Sequence, residues 1–198
     1  MTPLAYALLA QEAYNAKPDI GDPDSASRAI VRQTAAGLVI AFPGTDNIDC
    51  WGADLDIEPE KVPGVGEVHG GFWGAWQAIA DPVMAAIGDQ PVTLVGHSLG
   101  SAIGICAAIS LTLAGKPPIA VWGFEPPRVS PGVDVAGFLI NVPMVLYRNG
   151  NDIVPLLPPD WQHAGIITPI GKASLPFANV RDHALARVIE ALTPSQII

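Results

Sequence analysis

The sequence predicts an α/β domain built as a three-layer sandwich, with helices on both faces of a mostly parallel central sheet. Apolar runs of strand length alternate with helix-length segments, and several of these runs are apolar throughout. Strands of that kind are typical of a parallel sheet that is buried on both faces. With 198 residues, of which 49% are hydrophobic, the chain can form one buried core. We therefore predict a single domain over residues 1–198.

Capping signals and spacing place the individual elements. Thr2 and Pro3 combine a helix N-cap with proline at the first helical position, so we predict a helix over about residues 2–15. Leu185 and Val188 begin an apolar stripe on a final helix. Between these helices the predicted order is strands over 28–33 and 38–42, a helix from near 71 that breaks or restarts at 81–82, a strand over 92–95, a helix over 99–113, and strands over 119–124 and 144–147.

The charge balance disfavours two classes of partner. Lys and Arg number 10 against 19 Asp and Glu, and the net charge is −9. Such a chain offers little to a phosphate backbone, so nucleic-acid binding is not expected. Residues 91–115 contain no Asp, Glu, Lys or Arg and resemble a membrane span by hydropathy alone. Because a turn at residues 96–98 interrupts them, we predict a buried strand followed by a buried helix, and no membrane segment.

The N-terminal residues and the two cysteines bear on compartment and on metal binding. Residues 1–15 have no basic segment and no cleavage site after an apolar core, so they do not resemble a signal peptide. We expect a chain that is cytoplasmic or exported without a leader. Cys50 and Cys106 match no metal spacing, and no metal is expected. Cys106 is predicted to be a small buried side chain, with a disulfide bridge to Cys50 as the open alternative.

Residues 96–100 read Gly-His-Ser-Leu-Gly and match the G-x-S-x-G pattern. The pattern directly follows a predicted strand and precedes an Ala-rich helix, which is the setting of the nucleophile elbow in α/β-hydrolases. The glycines allow a turn so sharp that the serine adopts a strained backbone, and the hydroxyl meets the favourable field of a helix N-terminus. Ser98 is therefore the candidate nucleophile, with a helix-capping serine as the alternative.

A serine hydroxyl needs a histidine to take its proton and a carboxylate to hold that histidine in the right tautomer. In α/β-hydrolases the chain order is serine, acid, histidine, which excludes His69 as the base. His97 lies inside the elbow, where we expect its side chain to point away from the serine. His163 is predicted to hydrogen-bond within its own loop, which leaves His183 as the base. Asp182 beside it is interpreted as a helix N-cap.

Three downstream acids precede the candidate histidines, and they are Asp134, Asp152 and Asp160. Asp152 follows the predicted strand over 144–147, in a loop at the carboxyl end of that strand. Ligands and catalytic groups gather at this edge of an open α/β sheet. His183 lies where the last helix begins, so its loop can reach back across the top of the sheet. We therefore predict Asp152 as the acid.

Short motifs follow one another along most of the chain. They are F-P-G-T at 42–45, W-G-A-D-L at 51–55, H-G-G-F at 69–72 with Trp76 after it, the elbow at 96–100, F-E-P-P-R-V at 124–129, N-D-I-V-P at 151–155 and D-H at 182–183. In this order they resemble the class 3 lipase family, the fungal-type triacylglycerol lipases and related esterases. Pro43 stands where the family usually has arginine, Glu125 replaces a glycine, and Ser101 stands where a further glycine is common.

The resemblance implies an α/β-hydrolase fold and a set of site residues. It implies the triad Ser98, Asp152 and His183, and an oxyanion hole formed by Thr45 and the backbone N–H of Leu99. The elbow pattern itself also indicates Leu99, because the residue after the nucleophile supplies an oxyanion donor in α/β-hydrolases. Thr45 follows from the resemblance alone. Neither a metal nor an organic cofactor is expected.

The predicted activity is hydrolysis of carboxylic esters through an acyl-enzyme, with a small-molecule ester or a lipid as substrate. A related acyl hydrolase, such as a phospholipase A, a feruloyl-type esterase or a thioesterase, is the first alternative, because one triad serves all of these reactions. A hydrolase fold without catalysis, kept for binding a partner, is the second. The predicted triad is complete, which favours an enzyme over the second alternative.

A short lid-like segment is predicted at residues 46–52, directly after the oxyanion residue. Its apolar residues are Ile48, Cys50 and Trp51, and it also carries Asp46 and Asp49. A lid that opens onto lipid gains by burying an apolar face there. This segment has little apolar surface to bury, so we expect weak or absent interfacial activation and a preference for short to medium acyl chains.

Overall fold

The computed structural model describes residues 1–45 and 58–194. The strands are β1 (Ile20–Gly21), β2 (Arg28–Thr34), β3 (Gly37–Phe42), β4 (Pro59–Val62), β5 (Gly66–His69), β6 (Val92–His97), β7 (Ala120–Phe124), β8 (Met144–Asn149) and β9 (Ile167–Ile170). The helices are α1 (Pro3–Asn15), α2 (Gly70–Gln77), α3 (Ala80–Ile87), α4 (Leu99–Leu113), α5 (Asp134–Phe138) and α6 (Leu185–Leu192), with short 3-10 helices at Val154–Leu156 and Arg181–His183. The lid-like segment 46–52, the motif at 51–55 and Cys50 lie outside the described residues.

A seven-stranded sheet forms the centre of the domain, in the order β1-β2-β3-β6-β7-β8-β9. From β3 to β9 its neighbouring strands are parallel, whereas β1 and β2 extend it antiparallel at one edge. The predicted mostly parallel sheet is therefore confirmed. β1, β9 and the hairpin of β4 and β5 are additional to the predicted strands. All four strands are short, and Pro169 in β9 is tolerated because that strand lies at the sheet edge.

Helices pack on both faces of the sheet and complete the three-layer sandwich. On one face, Val39 and Ala41 of β3 belong to an apolar cluster with residues of α1 and α6. On the other face, Ile40 and Phe42 of the same strand pack with residues of α2, α3 and α4. Successive side chains of a strand point to opposite faces. Because both faces are covered, β3 is apolar throughout.

The helix boundaries follow the predicted capping signals. Thr2 is the N-cap of α1, and its Oγ1 accepts a hydrogen bond from the backbone N–H of Ala5 at 3.2 Å. α2 ends at Gln77 and a new helix begins at Ala80, so the helix restarts as predicted, although the interruption lies at 78–79 and not at 81–82. Pro82 lies in the first turn of that new helix, where its missing N–H breaks no hydrogen bond.

The uncharged stretch over 91–115 forms β6, a turn and α4. α4 is buried along almost its entire length, since it packs against both the sheet and α2. Cys106 lies within it as a buried free thiol, and burial raises the pKa of that thiol. In the ranges 1–45 and 58–194, no helix has both the length and the apolar character needed to cross a membrane.

The strand register brings the carboxyl ends of neighbouring strands to one edge of the sheet. Phe42 of β3 pairs with Gly96 of β6. Phe124 of β7 pairs with His97 on one side and with Tyr147 of β8 on the other. The loops after β3, β6, β7 and β8 therefore begin side by side, at the edge where ligands bind in open α/β sheets.

Candidate active site

Ser98 occupies the turn between β6 and α4, with φ 55° and ψ −130°. A non-glycine residue at positive φ is strained, and such strain is typical of a nucleophile elbow. The flanking glycines make this turn possible. A Cβ on Gly96 would lie 2.3 Å from the carbonyl carbon of Gly100, and a Cβ on Gly100 would lie 2.1 Å from the carbonyl oxygen of Phe42. Both distances are too short for any side chain, as the pattern predicted.

Gly100→Ala is expected to lower the free energy of unfolding by about 1–3 kcal/mol, because the new methyl group must displace the backbone of Phe42. Gly104 provides a matched control in the same helix. A Cβ there would lie 3.7 Å from Cδ2 of Phe42, which is an ordinary contact. Gly104→Ala should therefore raise the free energy of unfolding by up to about 1 kcal/mol through helix propensity. Urea unfolding measures both values, and equal effects would contradict this account of the elbow.

Asp152, in the loop after β8, meets His183 inside the protein. Nδ1 of His183 donates a hydrogen bond to Oδ2 of Asp152 at 2.6 Å, and both side chains are fully buried. Oδ1 of Asp152 accepts from the backbone N–H of Val154 at 3.0 Å. Burial opposes ionisation of Asp152, but the hydrogen bond from His183 and the neighbouring Glu125 carboxyl outweigh it and hold the pKa of Asp152 below its usual value. The ionised carboxylate fixes the His183 tautomer that leaves Nε2 as an acceptor.

Asp182 fixes the loop that carries the histidine. Its buried carboxylate accepts hydrogen bonds from the backbone N–H groups of Asn151 and Ser174, each at 3.0 Å. Desolvation opposes the charge, yet these hydrogen bonds hold the pKa of Asp182 well below its usual range. The N-cap interpretation of Asp182 is wrong, since Ala184 occupies the N-cap of α6. Asp182 instead ties the histidine loop to the loop of the acid.

His97 supports the backbone of His183. Its Nε2 donates to the carbonyl oxygen of His183 at 2.9 Å, and its Nδ1 accepts from the hydroxyl of Tyr14, 2.7 Å away. Burial and the neighbouring His183 lower the pKa of His97 to about 3, so the ring stays neutral, as this pair of hydrogen bonds requires. His97 is thus engaged through both ring nitrogens and is not available as a base.

A cavity of about 280 Å³ lies beside His97 and His183. Its lining includes Thr45, His97 and His183, together with Gln11, Tyr14, Asn15, Ala184 and Leu185. Within the described part of the chain, neither Oγ of Ser98 nor Nε2 of His183 has a hydrogen-bond partner. Catalytic hydrogen bonds are often long before substrate binds and tighten in the complex. The hydroxyl and the outer nitrogen of the histidine therefore remain available for chemistry.

Thr45 and Leu99 come from separate elements that flank the serine. Gly44 packs so closely on the nucleophile that a Cβ there would lie 2.9 Å from Cβ of Ser98. The loop that carries Thr45 therefore lies directly against the serine. Leu99 is the first residue of α4, and the first N–H groups of a helix have no acceptor within that helix. Both positions are compatible with the predicted oxyanion hole.

The competing acids and histidines lie elsewhere or are engaged in other contacts. Asp134 begins α5 and packs against the hairpin of β4 and β5. Asp160 is exposed. Nε2 of His163 donates to the carbonyl oxygen of Pro155 at 2.8 Å, which confirms a hydrogen bond within its loop. The ring of His69 stacks on an aromatic side chain of α2 with 3.8 Å between ring centroids.

Two side chains at the site were not among the predicted site residues. Glu125 follows β7 and is fully buried within hydrogen-bonding reach of Asp152. The signal for it in the sequence was its departure from the glycine of the motif at 124–129. Tyr14 contacts His97 across 83 positions of the chain. Nothing in the local sequence around Tyr14 indicates that contact.

The chain belongs to the class 3 lipase family, whose model matches residues 39–161. The match includes the elbow and the acid loop, and it confirms the resemblance that the motifs indicated. Two fungal relatives illustrate the similarity. The secreted mono- and diacylglycerol lipase A of Penicillium camembertii is 28% identical over 145 residues, covering 68% of this chain and 47% of its own length. A lipase of Rhizomucor miehei is 30% identical over 146 residues, covering 65% of this chain and 40% of its own length.

This chain thus spans less than half the length of those curated relatives. Among solved structures, the triacylglyceride lipase of Rhizomucor miehei superposes with a TM-score of 0.74 at 22% identity, covering 96% of both chains. The likeness, together with the mostly parallel sheet and its helices, identifies the α/β-hydrolase fold and confirms the predicted fold class.

Proposed function

We propose that this protein hydrolyses carboxylic esters through an acyl-enzyme on Ser98, with His183 as the base and Asp152 as its orienting acid. The observation that carries the proposal is the buried 2.6 Å hydrogen bond between Asp152 and His183. In the described part of the chain, Nε2 of His183 and the hydroxyl of the strained Ser98 have no hydrogen-bond partner. An acid, a base and a nucleophile at one sheet edge are the parts that acyl transfer requires.

The reaction begins when Nε2 of His183 takes the proton of Ser98 as Oγ attacks the ester carbonyl. The tetrahedral oxyanion is held by the backbone N–H of Leu99 and by Thr45. The C–O bond to the alcohol then breaks, and the alcohol leaves with the proton from His183. Water attacks the acyl-enzyme with His183 as base, releases the acid and restores the serine. Asp152 stays ionised and stabilises the imidazolium that forms in each half-reaction.

Short to medium acyl esters or glycerides are the proposed substrates. The cavity of about 280 Å³ beside His183 has room for a small acyl or alcohol group. The apolar part of its lining includes Leu185 and Ala184, which suits a hydrocarbon. The curated relatives named as mono- and diacylglycerol lipases make glycerides a reasonable source of such esters.

Hydrolysis of p-nitrophenyl esters across a series of acyl lengths tests the proposal. We expect release of p-nitrophenol with a kcat/KM that is highest for short to medium chains. A feruloyl ester and an acyl thioester in the same series distinguish the related acyl hydrolases. A correctly folded protein that cleaves none of these substrates would contradict ester hydrolysis.

Thr45→Val tests the oxyanion hole. The substitution removes a hydroxyl donor and nearly conserves shape, so we expect kcat to fall by about 10²-fold with little change in KM. The hydroxyl matters to the transition state, where negative charge develops on the carbonyl oxygen. Steady-state kinetics on one short ester separates the two constants. A higher KM at constant kcat would mark Thr45 as an ordinary substrate contact.

A further inference from the structure

Glu125 is a buried acid at the sheet edge where the loops after β6, β7 and β8 begin. It directly follows β7, which lies between β6, the strand that leads to Ser98, and β8, the strand that leads to Asp152. Its side chain is fully buried, and its backbone has φ 54°. Glycine, the usual residue of the family at this position, accepts that conformation without strain. A strained, buried acid therefore replaces a residue that suits the backbone better.

The contacts of Glu125 lead directly to the acid of the triad. Oε1 accepts a hydrogen bond from the backbone N–H of Asn149 at 2.5 Å. Glu125, Asp152 and His183 each place one polar side-chain atom in a group whose members all lie within 4.8 Å of one another. Among the described residues no donor reaches Oε2 of Glu125. If the Glu125 carboxyl group carries a proton, it becomes a hydrogen-bond donor. The Asp152 carboxylate lies within hydrogen-bonding reach as the acceptor.

Two carboxyl groups buried at this separation do not both ionise, because neither is screened by water. The proton goes to the carboxyl group whose ionised form is less well stabilised by hydrogen bonds. Asp152 accepts hydrogen bonds from His183 and Val154, whereas Glu125 accepts one from Asn149. Burial and the proximity of Asp152 raise the pKa of Glu125 well above its usual value.

We propose that Glu125 is a neutral positioning residue that donates a hydrogen bond to the Asp152 carboxylate and so holds the acid of the triad in place and ionised. The inference deepens the proposed function and rests on it for its kinetic part. Among the described residues, the titratable groups that face Glu125 are Asp152, His183 and Arg148. The positive charge of Arg148 opposes protonation of Glu125. Asn149 orients the other oxygen of Glu125, so the side chain bridges β8 and the acid loop.

Three variants separate this role from a purely structural one. Glu125→Gln keeps a donor for Asp152 and an acceptor for Asn149, so we expect kcat to fall at most about fivefold. Glu125→Met keeps the volume but neither polar group, and kcat should fall by about 10-fold or more. Glu125→Gly restores the usual residue of the family and suits φ 54°. It therefore keeps the fold even if the methionine variant does not, and we expect its kcat to lie below that of Glu125→Gln.

The pH profile of kcat/KM tests the protonation state. The acid limb of this profile is the fall of kcat/KM towards low pH. A neutral Glu125 carries no charge to lose, so the midpoint of the acid limb in Glu125→Gln should lie within about 0.3 pH units of that of the parent. An ionised Glu125 would favour the protonated form of His183, and its removal would move the acid limb down by about one unit. Glu190→Gln, the same change at an exposed position of α6, shows how far the loss of a distant carboxylate by itself moves the profile.

A measurement without substrate separates this inference from the proposed activity. The infrared spectrum at neutral pH should contain the carbonyl band of a protonated carboxyl group, and Glu125→Gln should remove it while Glu190→Gln retains it. A protein with this band but no ester turnover would contradict the proposed function alone. An absent band, a downward shift of the acid limb in Glu125→Gln, or equal rates for the glutamine and glycine variants would overturn the role of Glu125.

Discussion

Replacing Ser98 with alanine is expected to lower ester turnover by about 10³-fold or more while the fold stays intact. The hydroxyl has no hydrogen-bond partner within the described chain, so its removal costs little stability. It is the group that becomes acylated in the proposed reaction. Turnover of a p-nitrophenyl ester, together with the unfolding midpoint of the same preparation, measures both effects.

Ser101→Ala is the matched control for that substitution. Ser101 is also buried, and its hydroxyl donates to the carbonyl oxygens of Gly96 at 2.8 Å and of Phe124 at 3.1 Å. We expect its loss to cost about 1 kcal/mol of stability and to reduce turnover far less than Ser98→Ala. Near-parent activity in a correctly folded Ser98→Ala protein would rule out Ser98 as the nucleophile.

Asp152→Asn is expected to reduce kcat by about 10³- to 10⁴-fold. Both carboxylate oxygens of Asp152 accept hydrogen bonds, one from His183 and the other from Val154. An amide offers only one acceptor at these two positions. If the NH₂ group of the new asparagine faces His183, Nδ1 of His183 must act as the acceptor. The proton of the ring then lies on Nε2, and Nε2 can no longer take the serine proton. Steady-state kinetics with the unfolding midpoint tests this expectation.

The other candidate acids serve as controls for the assignment. Asp134→Asn changes a residue packed against the hairpin of β4 and β5, and Asp160→Asn changes an exposed one. Both should keep turnover within about threefold of the parent, as surface or distant changes usually do. His183→Ala should be at least as damaging as Asp152→Asn, because it removes the base itself and not only the group that orients it. An inactive Asp134→Asn with an active Asp152→Asn would contradict the assignment of the acid.

The features predicted from sequence are those that local chemistry determines. The elbow glycines are required by contacts within a few residues of Ser98 or with the neighbouring strand. The position of Asp152 beside the elbow was predictable because Asp152 follows an apolar strand, and strand ends meet at one edge of a parallel sheet. Boundaries such as those of α4 follow from the same local patterns, and the predicted helix over 99–113 has those bounds.

The features that escaped prediction depend on distant contacts. The Tyr14–His97 hydrogen bond joins the first helix to the elbow, and no spacing rule links residues so far apart. Asp182 was assigned to a helix cap because of its place before α6, yet its hydrogen bonds reach the loops of Asn151 and Ser174. Glu125 was visible as an exception to a motif, but its position close to Asp152 depends on the strand order β6-β7-β8.

Labelling with a fluorophosphonate tests the central claim, the nucleophilic role of Ser98, most directly. The probe phosphonylates an activated serine and releases its leaving group, and peptide mass mapping then identifies the modified residue. We predict one label per chain on Ser98, loss of ester turnover in proportion to labelling, and no labelling of Ser98→Ala. A label on another residue, or full turnover in a completely labelled protein, would contradict the account.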